Sequence, residues 1–275
     1  MKSTSRLISD AQIESFERDG AVMLPGLLAD WVGTISDGIE RNLNSPGDDS
    51  NEYIREGDGG RFFGDYCNWQ RIPEFRQVIF ESSLAAAAAA LMRSNRVQFF
   101  HDHVLVKEAG SDKETPWHQD APYYFVDGEQ SVSFWIPVDP VDEATLRLIA
   151  GSHKWPRPVL PTRWLSQEGF YADEGDYLPV PDPDAEPERF TVQEWRMQPG
   201  DAVAFHFRTV HGARGNPHGS RRRVLSLRFV GDDARFTERP GTTSPPYPGH
   251  AMKPGQRLRE DWFPYVPVDG QAPDS

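Results

Sequence analysis

The chain from Val97 to Val230 consists of short runs of β-branched, aromatic and aliphatic residues that glycine and proline interrupt. Runs of this kind between turn-forming residues are typical of strands. Many short antiparallel strands in one region indicate a sandwich, a barrel or a jelly roll. The strands expected here are 97–106, an extended segment through His118, and then 131–138, 146–149, 190–197, 202–207 and 222–230.

Helices are expected ahead of this region. Ser9 and Gln12 have the spacing of a capping box and Gly20 is a typical stop, so a helix should occupy residues 9–20. Apolar residues that recur every four positions predict an amphipathic helix over residues 29–44. The other elements expected ahead of Val97 are a strand at 21–24, a strand at 61–69, a helix from Pro73, and a helix capped by Ser82 or Ser83 that runs through the following alanines.

The 275 residues are expected to form one domain, because no linker divides them and all-β domains of this length are common. The expected fold is mainly β with flanking α: a double-stranded β-helix, or cupin-like jelly roll, with N-terminal helices packed on one sheet. Two segments should border the site: 45–60, a mobile loop at the substrate entrance, and 151–189, an irregular insertion over the barrel mouth. The single domain 1–275 should comprise a helical N-terminal region over residues 1–96, a jelly-roll core of about 97–230 and a packed tail 231–275.

His118 and Asp120 are the first candidates for a functional site. They lie two residues apart in an extended segment, so their side chains point the same way and can hold one metal ion. His211, after a later strand, is the candidate third ligand. Two histidines and one carboxylate on one face suit non-haem Fe(II) and leave coordination positions open. His206 is the alternative third ligand, but it lies inside an alternating strand, whereas His211 adjoins a glycine turn.

Arg222 is a candidate anion-binding residue. Alternation along the strand 222–230 places Arg222 and Ser226 on one face, opposite the apolar side chains of that strand. A guanidinium and a hydroxyl that point inward together can bind a carboxylate. Arg221 and Arg223 are neighbours of Arg222, so they face away and are expected to be surface charges.

These residues stand among further motifs, which are Asp102-His103-Val104-Leu105-Val106-Lys107, Pro116-Trp117-His118-Gln119-Asp120, Trp135-Ile136-Pro137-Val138-Asp139, Gly151-Ser152-His153, Pro199-Gly200-Asp201 and His211-Gly212. In this order, over roughly residues 97–230, the chain resembles the phytanoyl-CoA dioxygenase family of Fe(II)- and 2-oxoglutarate-dependent oxygenases. The resemblance implies that His118, Asp120 and His211 bind iron and that Arg222 pairs with the far carboxylate of 2-oxoglutarate. The implied cofactors are Fe(II), the cosubstrate 2-oxoglutarate, and O₂.

The resemblance also implies a hydroxylase that converts 2-oxoglutarate to succinate and CO₂. The carboxylate of Asp120 favours hydroxylation, because relatives that halogenate have a small residue there. His101 shares a strand face with His103, and the two are either pocket residues or members of a second metal site. The further candidates for binding the cosubstrate are Lys107, Ser133, Trp135 and Ser226. The candidates for binding the substrate are Asn68, Trp69, His103, Tyr123 and Tyr124.

The expected substrate is a small polar metabolite with an unactivated C–H bond. Aromatic residues such as Trp69, Tyr123 and Trp135 can form a cage for an ammonium group, which favours a zwitterion such as an aminoalkylphosphonate, or a quaternary ammonium compound. The alternatives are an acyl-CoA or natural-product hydroxylase of the same family and, more remotely, a zinc hydrolase or a non-catalytic binding protein on the same barrel.

Composition excludes some partners. The 29 basic and 42 acidic residues give a net charge of −13, which argues against nucleic acid and anionic membranes. The single cysteine, Cys67, excludes a disulfide within the chain and favours a reducing compartment. Because no apolar run reaches the length of a signal peptide or a membrane helix, we expect a cytoplasmic protein, monomer or homodimer, whose partner is a small-molecule substrate.

Overall fold

Two antiparallel sheets form the centre of the protein in a computed structural model that describes residues 7–53, 60–166, 168–171 and 176–268. The strands in chain order are β1 Ala21–Leu24, β2 Asn51–Glu52, β3 Phe62–Tyr66, β4 Gln98–Lys107, β5 Thr115–His118, β6 Val126–Asp127, β7 Ser131–Pro137, β8 Leu146–Ile149, β9 Val192–Glu194, β10 Ala202–Phe205, β11 His211–Ala213, β12 Arg222–Val230 and β13 Arg235–Phe236. The seven-stranded sheet has the order β1-β10-β7-β12-β4-β3-β2, the four-stranded sheet has the order β5-β11-β8-β9, and β13 pairs with β6. The mainly β jelly-roll prediction is confirmed.

The described part of the chain includes four α-helices beside the sheets. Ser9 accepts a hydrogen bond from the backbone N–H of Gln12, whose side chain reaches back to the backbone of Ser9, and the helix ends at Gly20 in the left-handed conformation. The predicted capping box is therefore confirmed. The helices are α1 Asp10–Asp19, α2 Val32–Asn44, α3 Pro73–Glu81 and α4 Leu84–Met92, and 3₁₀ turns cover Ala29–Trp31, Ala121–Tyr123 and Ser152–Lys154.

The helices cover the outer face of the larger sheet. Ile39 of α2 and Phe75 of α3 are fully buried in the same apolar cluster as Leu225, Leu227 and Phe229 of β12. Each such side chain contributes about 1.5–3 kcal/mol when it leaves water. This cluster fixes the direction in which β12 presents its other side chains, so the even-numbered residues of β12 face the space between the sheets.

Residues 1–96 were expected to form a helical region, but they also supply β1, β2 and β3 of the larger sheet. The predicted strand 21–24 forms the edge of the larger sheet, where Ala21 pairs with Phe205 of β10. β3 and β2 extend the opposite edge beyond β4. The strand expected at 61–69 ends at Tyr66, because Cys67 has a positive φ of 66° and turns the chain. Of the loop predicted at 45–60, residues 54–59 lie outside the described residues.

Two irregular segments pack against the barrel. Within the predicted insertion 151–189, the backbone N–H of Thr162 donates to the Tyr123 hydroxyl at 2.7 Å, which ties the segment to the residues that follow β5. In the tail, Phe263 is fully buried, and Pro264 accepts a hydrogen bond from the backbone N–H of Phe99 at 2.9 Å. No helix among the described residues is both long and apolar enough to cross a bilayer.

Candidate active site

His118 and His211 are direct partners in the register of β5 and β11. Their ring centroids lie 4.2 Å apart. Asp120 follows the end of β5, and its Oδ1 atom is 3.8 Å from the Nε2 atom of each histidine. All three side chains are buried, and one ligand atom from each lies within 4.8 Å of the others. The fold therefore brings the three predicted ligands together.

Backbone hydrogen bonds determine which nitrogen of each ring is free. Nδ1 of His118 is 2.8 Å from the carbonyl oxygen of Pro116, and Nδ1 of His211 is 2.9 Å from that of Thr209. Because a carbonyl only accepts, each Nδ1 carries the proton and each Nε2 presents a lone pair beside Asp120. Burial lowers the pKa of both imidazoles, that of His118 to about 3. Two neutral nitrogens and a carboxylate oxygen are the donor set of a divalent metal site.

Two other side chains contact Oδ2 of Asp120, the carboxylate oxygen that does not face the histidines. Its Oδ2 atom accepts a hydrogen bond from the Ser133 hydroxyl at 3.2 Å and lies 3.4 Å from Nε of Arg228. Nε of Arg228 also donates to the Tyr124 hydroxyl at 2.6 Å. Burial alone would raise the pKa of Asp120, but the positive charge of Arg228 holds this pKa well below its usual value. Asp120 is therefore ionised, with Oδ1 directed at the histidines.

Arg228 is absent from the set predicted from the sequence. It is buried and lines the same cavity as the histidines. The alternation that identified Arg222 and Ser226 continues to Arg228, two positions further along β12, and this signal is present in the sequence. A charged residue at an inward strand position requires a partner of opposite charge, and Asp120 is that partner.

Arg222 has the properties of an anion-binding residue. It is buried, its Nη1 atom donates to the carbonyl of Ala144 at 2.7 Å, and its guanidinium lies 5.2 Å from the centroid of the Trp135 ring. Its Nε atom has no partner among the described residues, and neither has the Ser226 hydroxyl on the same face. Burial lowers the pKa of Arg222 to about 9, so the guanidinium remains charged at neutral pH. A buried cation without a counter-ion favours the binding of an anion.

These groups border one cavity of about 420 Å³ between the sheets. Pockets of roughly 300–1,000 Å³ hold small organic ligands. Of the residues predicted to bind the cosubstrate, Arg222, Trp135 and Ser226 line the cavity. Of those predicted to bind the substrate, His103, Tyr123 and Tyr124 line it, as does His101.

The other predicted binding residues lie elsewhere. Nζ of Lys107 donates to the carbonyl of Arg214 at 2.8 Å and lies over the Phe62 ring, outside the cavity lining. Ser133 contacts Asp120 rather than the cavity.

Asn68 and Trp69 lie outside the lining as well. Their backbone N–H groups donate to the buried carboxylate of Asp102, and the Trp69 ring packs against Phe99 in the apolar cluster beneath the helices. These two residues are corrected from substrate contacts to structural ones. His206, the alternative third ligand, has its Nε2 atom 2.9 Å from the carbonyl of Glu129 and does not belong to the metal cluster.

Comparison with known proteins identifies the family. The family model for phytanoyl-CoA dioxygenase matches residues 16–224. A probable phytanoyl-CoA dioxygenase of Caenorhabditis elegans is 30% identical over 150 residues, which are 52% of this chain and 46% of that protein. The match thus spans less than half of the length of that relative.

Solved structures share the fold. The non-haem alpha-ketoglutarate-dependent carbocyclase SnoK from nogalamycin biosynthesis superposes with a TM-score of 0.73 at 22% identity, over 94% of this chain and 97% of SnoK. The epimerase SnoN, solved in complex with Fe³⁺, alpha-ketoglutarate and nogalamycin RO, gives a TM-score of 0.70 at 21% identity, over 93% of this chain and 97% of SnoN. Identities this low establish a common architecture only. Because the family model covers most of the chain, the protein belongs to the phytanoyl-CoA dioxygenase family.

Proposed function

We propose that the protein is a dioxygenase that uses Fe(II), 2-oxoglutarate and O₂ to hydroxylate a C–H bond of a small molecule. The observation that carries this proposal is the position of Arg222. Its buried guanidinium lines the same cavity as His118, Asp120 and His211 and has no carboxylate partner among the described residues. A dicarboxylate that reaches from the metal to this guanidinium would satisfy both.

The donor set supports iron as the metal. Two neutral imidazoles and one carboxylate leave open positions for a bidentate cosubstrate and for O₂, as non-haem Fe(II) oxygenases require. SnoN, which shares the fold, was solved with Fe³⁺ and alpha-ketoglutarate. When bound, iron supplies the oxidation chemistry that couples conversion of 2-oxoglutarate and O₂ into succinate and CO₂ to hydroxylation of the substrate.

The residues of the chain have distinct tasks in this reaction. His118, His211 and Asp120 would hold the metal, while Ser133 and Arg228 keep Oδ1 of Asp120 directed toward the two histidines. Arg222 would pair with the far carboxylate of 2-oxoglutarate and so orient the cosubstrate within the cavity.

Aromatic rings exclude water from the centre. The Phe205 ring lies 4.5 Å from that of His211, and the Trp164 ring lies 5.1 Å from that of His118. Exclusion of water strengthens each charge interaction at the centre and limits side reactions of the oxidant.

Hydroxylation is proposed over halogenation because Asp120 occupies the carboxylate position. A halide needs a coordination position that this carboxylate fills.

One assay separates the proposal from a zinc hydrolase and from a non-catalytic binding protein. The protein is loaded anaerobically with Fe(II), 2-oxoglutarate is titrated while the metal-to-ligand charge-transfer band is followed, and O₂ is then admitted. We expect saturable binding of 2-oxoglutarate, followed by succinate. Zinc-dependent activity without a need for 2-oxoglutarate would support the hydrolase, and binding without succinate would support the binding protein.

A further inference from the structure

Two buried histidines that line the cavity have an Nε2 atom with no hydrogen-bond partner among the described residues. His101 and His103 lie on one face of β4, are 2% and 7% exposed, and line the cavity. The Nε2 atoms of both are buried and unpaired among the described residues. A buried polar atom without a hydrogen-bond partner is unfavourable, so these atoms indicate a bound ligand that supplies the partner.

The missing partner of His101 must be a hydrogen-bond donor. Nδ1 of His101 is 3.2 Å from the carbonyl oxygen of Asp102 and therefore carries the proton of that ring, which leaves Nε2 as an acceptor. No N–H or O–H group among the described residues donates to this Nε2 atom. The donor that His101 lacks therefore has to come from a bound molecule.

A positively charged donor does not suit this place. Arg228 is the register partner of His101 on the neighbouring strand, and its positive charge acts on both His101 and His103. Asp120 is the sole carboxylate among the described lining residues, and Ser133 and Arg228 already engage it. An ammonium group would meet repulsion and no counter-ion, so the cavity does not support the ammonium-bearing substrate expected from the sequence.

A negatively charged group does not suit it either. A carboxylate or phosphate oxygen only accepts hydrogen bonds, and so cannot satisfy an acceptor nitrogen. An uncharged hydroxyl donates without adding charge, which leaves it as the simplest group that fits.

The remainder of the cavity around these histidines is aromatic. The Trp164 ring lies 5.1 Å from that of Tyr53 and is nearly parallel to that of His103, at an interplanar angle of 29°. The Tyr66 ring meets His103 edge-on at 5.2 Å, and Phe170 packs against Tyr123 at 5.0 Å. Flat aromatic walls favour a ring-shaped ligand, which gains both apolar burial and stacking.

We propose that the substrate is an uncharged ring compound that carries a hydroxyl group, which donates to Nε2 of His101 while the ring lies against Trp164. This inference rests on the proposed function, because it takes the cavity beside the metal as the substrate site. It names the class of molecule that the oxygenase would act on.

Four probes with one ring system test the class. They are 2-naphthol, 2-methoxynaphthalene, (2-naphthyl)trimethylammonium and 2-naphthoate, titrated by calorimetry into the protein loaded anaerobically with Fe(II) and 2-oxoglutarate. We expect 2-naphthol to bind, and 2-methoxynaphthalene, which lacks the donor, to bind about tenfold more weakly. We expect both ions to bind more weakly than the methoxy compound. Equal affinity for the hydroxyl and methoxy probes, preference for either ion, or no binding of 2-naphthol would overturn the proposal.

The variant His101→Phe keeps a ring and removes the acceptor. It should weaken 2-naphthol about tenfold and leave 2-methoxynaphthalene unchanged. An unchanged preference for the hydroxyl in a folded variant would overturn the role of His101. If this variant fails to fold, the ranking of the four probes on the unmodified protein still decides the class.

Titrations without 2-oxoglutarate separate this inference from the proposed function. A hydroxyl preference in a protein that does not bind 2-oxoglutarate would overturn the function and leave the ligand class standing. Binding of 2-oxoglutarate without a hydroxyl preference would overturn the ligand class alone.

Discussion

The Nε atom of Arg228 lies 3.4 Å from the Oδ2 atom of Asp120, on the side of the carboxylate away from the two histidines. Both side chains are buried. Because Ser133 and Arg228 engage Oδ2, Oδ1 remains free to face both Nε2 atoms at the same distance of 3.8 Å. The ion pair therefore balances the charge of Asp120 in the absence of metal. It also determines which carboxylate oxygen faces the metal site.

Arg228→Met should strongly destabilise the metal-free protein. It leaves the carboxylate of Asp120 and the hydroxyl of Tyr124 buried without their partner, and breaking such a pair costs about 3–5 kcal/mol. Urea unfolding of the metal-free variant measures the loss. Saturating Co(II) should recover some of it, because the cation restores positive charge beside Asp120.

Arg223→Met is the matched control on the same strand. Arg223 pairs with Asp139 at 2.7 Å and with Glu40 at 2.9 Å near the surface, so its loss should cost at most about 1 kcal/mol. Equal losses of unfolding free energy in the two variants would contradict a specific stabilising role for the ion pair between Arg228 and Asp120.

Arg222→Lys should weaken 2-oxoglutarate binding and leave metal binding nearly intact. Lysine keeps the positive charge but cannot form the two parallel bonds of a guanidinium. Loss of such a contact costs about 1.5–3 kcal/mol, or roughly ten- to more than a hundredfold in affinity. Anaerobic titration of the Fe(II)-loaded protein, followed by the charge-transfer band, measures this change.

Arg221→Lys and Arg223→Lys are the controls for that titration. The side chain of Arg221 contacts Glu40 and Glu108, and that of Arg223 contacts Asp139 and Glu40, so neither faces the cavity. A larger effect at either position than at Arg222 would contradict the assigned role of Arg222.

Periodicity accounts for most of what the sequence could predict. A period of two along β12 placed Arg222 and Ser226 inside and Leu225 outside, and the structure has this arrangement. The spacing of His118 and Asp120 predicted one shared direction, which the structure also has. Such patterns succeed because they depend only on local backbone geometry.

The errors arise where long-range packing decides the outcome. Lys107 lies an even number of residues from His103 on β4, yet its Nζ atom turns to the carbonyl of Arg214, a contact that no local pattern contains. Trp69 follows a positive φ at Cys67, which directs its ring to the core beneath the helices. The contact between Arg228 and Asp120 likewise becomes visible only when β12 lies opposite the segment after β5.

His211→Ala should abolish tight metal binding, whereas His206→Gln should retain it. The Nε2 atom of His211 lies beside Asp120, but that of His206 is engaged by the carbonyl of Glu129. Both variants should stay folded, because the apolar clusters hold the sheets. Co(II) binding followed by its visible absorption distinguishes them. Loss of Co(II) binding in His206→Gln and its retention in His211→Ala would identify His206, rather than His211, as the third metal ligand.

Protonation of His206 should contribute to a loss of protein stability in mild acid. Nε2 of His206 donates to Glu129 and its Nδ1 accepts from the backbone N–H of Arg208 at 3.1 Å, so the folded protein holds the neutral ring. Burial lowers the pKa of His206 from 6.5 to about 4. Between these values the unfolded chain binds the proton and the folded chain does not, so stability is complete above about pH 6.5 and decreases as the pH falls toward 4. The full loss of unfolding free energy from this residue is about 3 kcal/mol.

The variant His206→Gln tests this contribution, because its amide can donate and accept in the same places without titrating. Urea unfolding of the variant across this pH range should show a shallower dependence on pH. An unchanged dependence would place the titration in the other buried histidines.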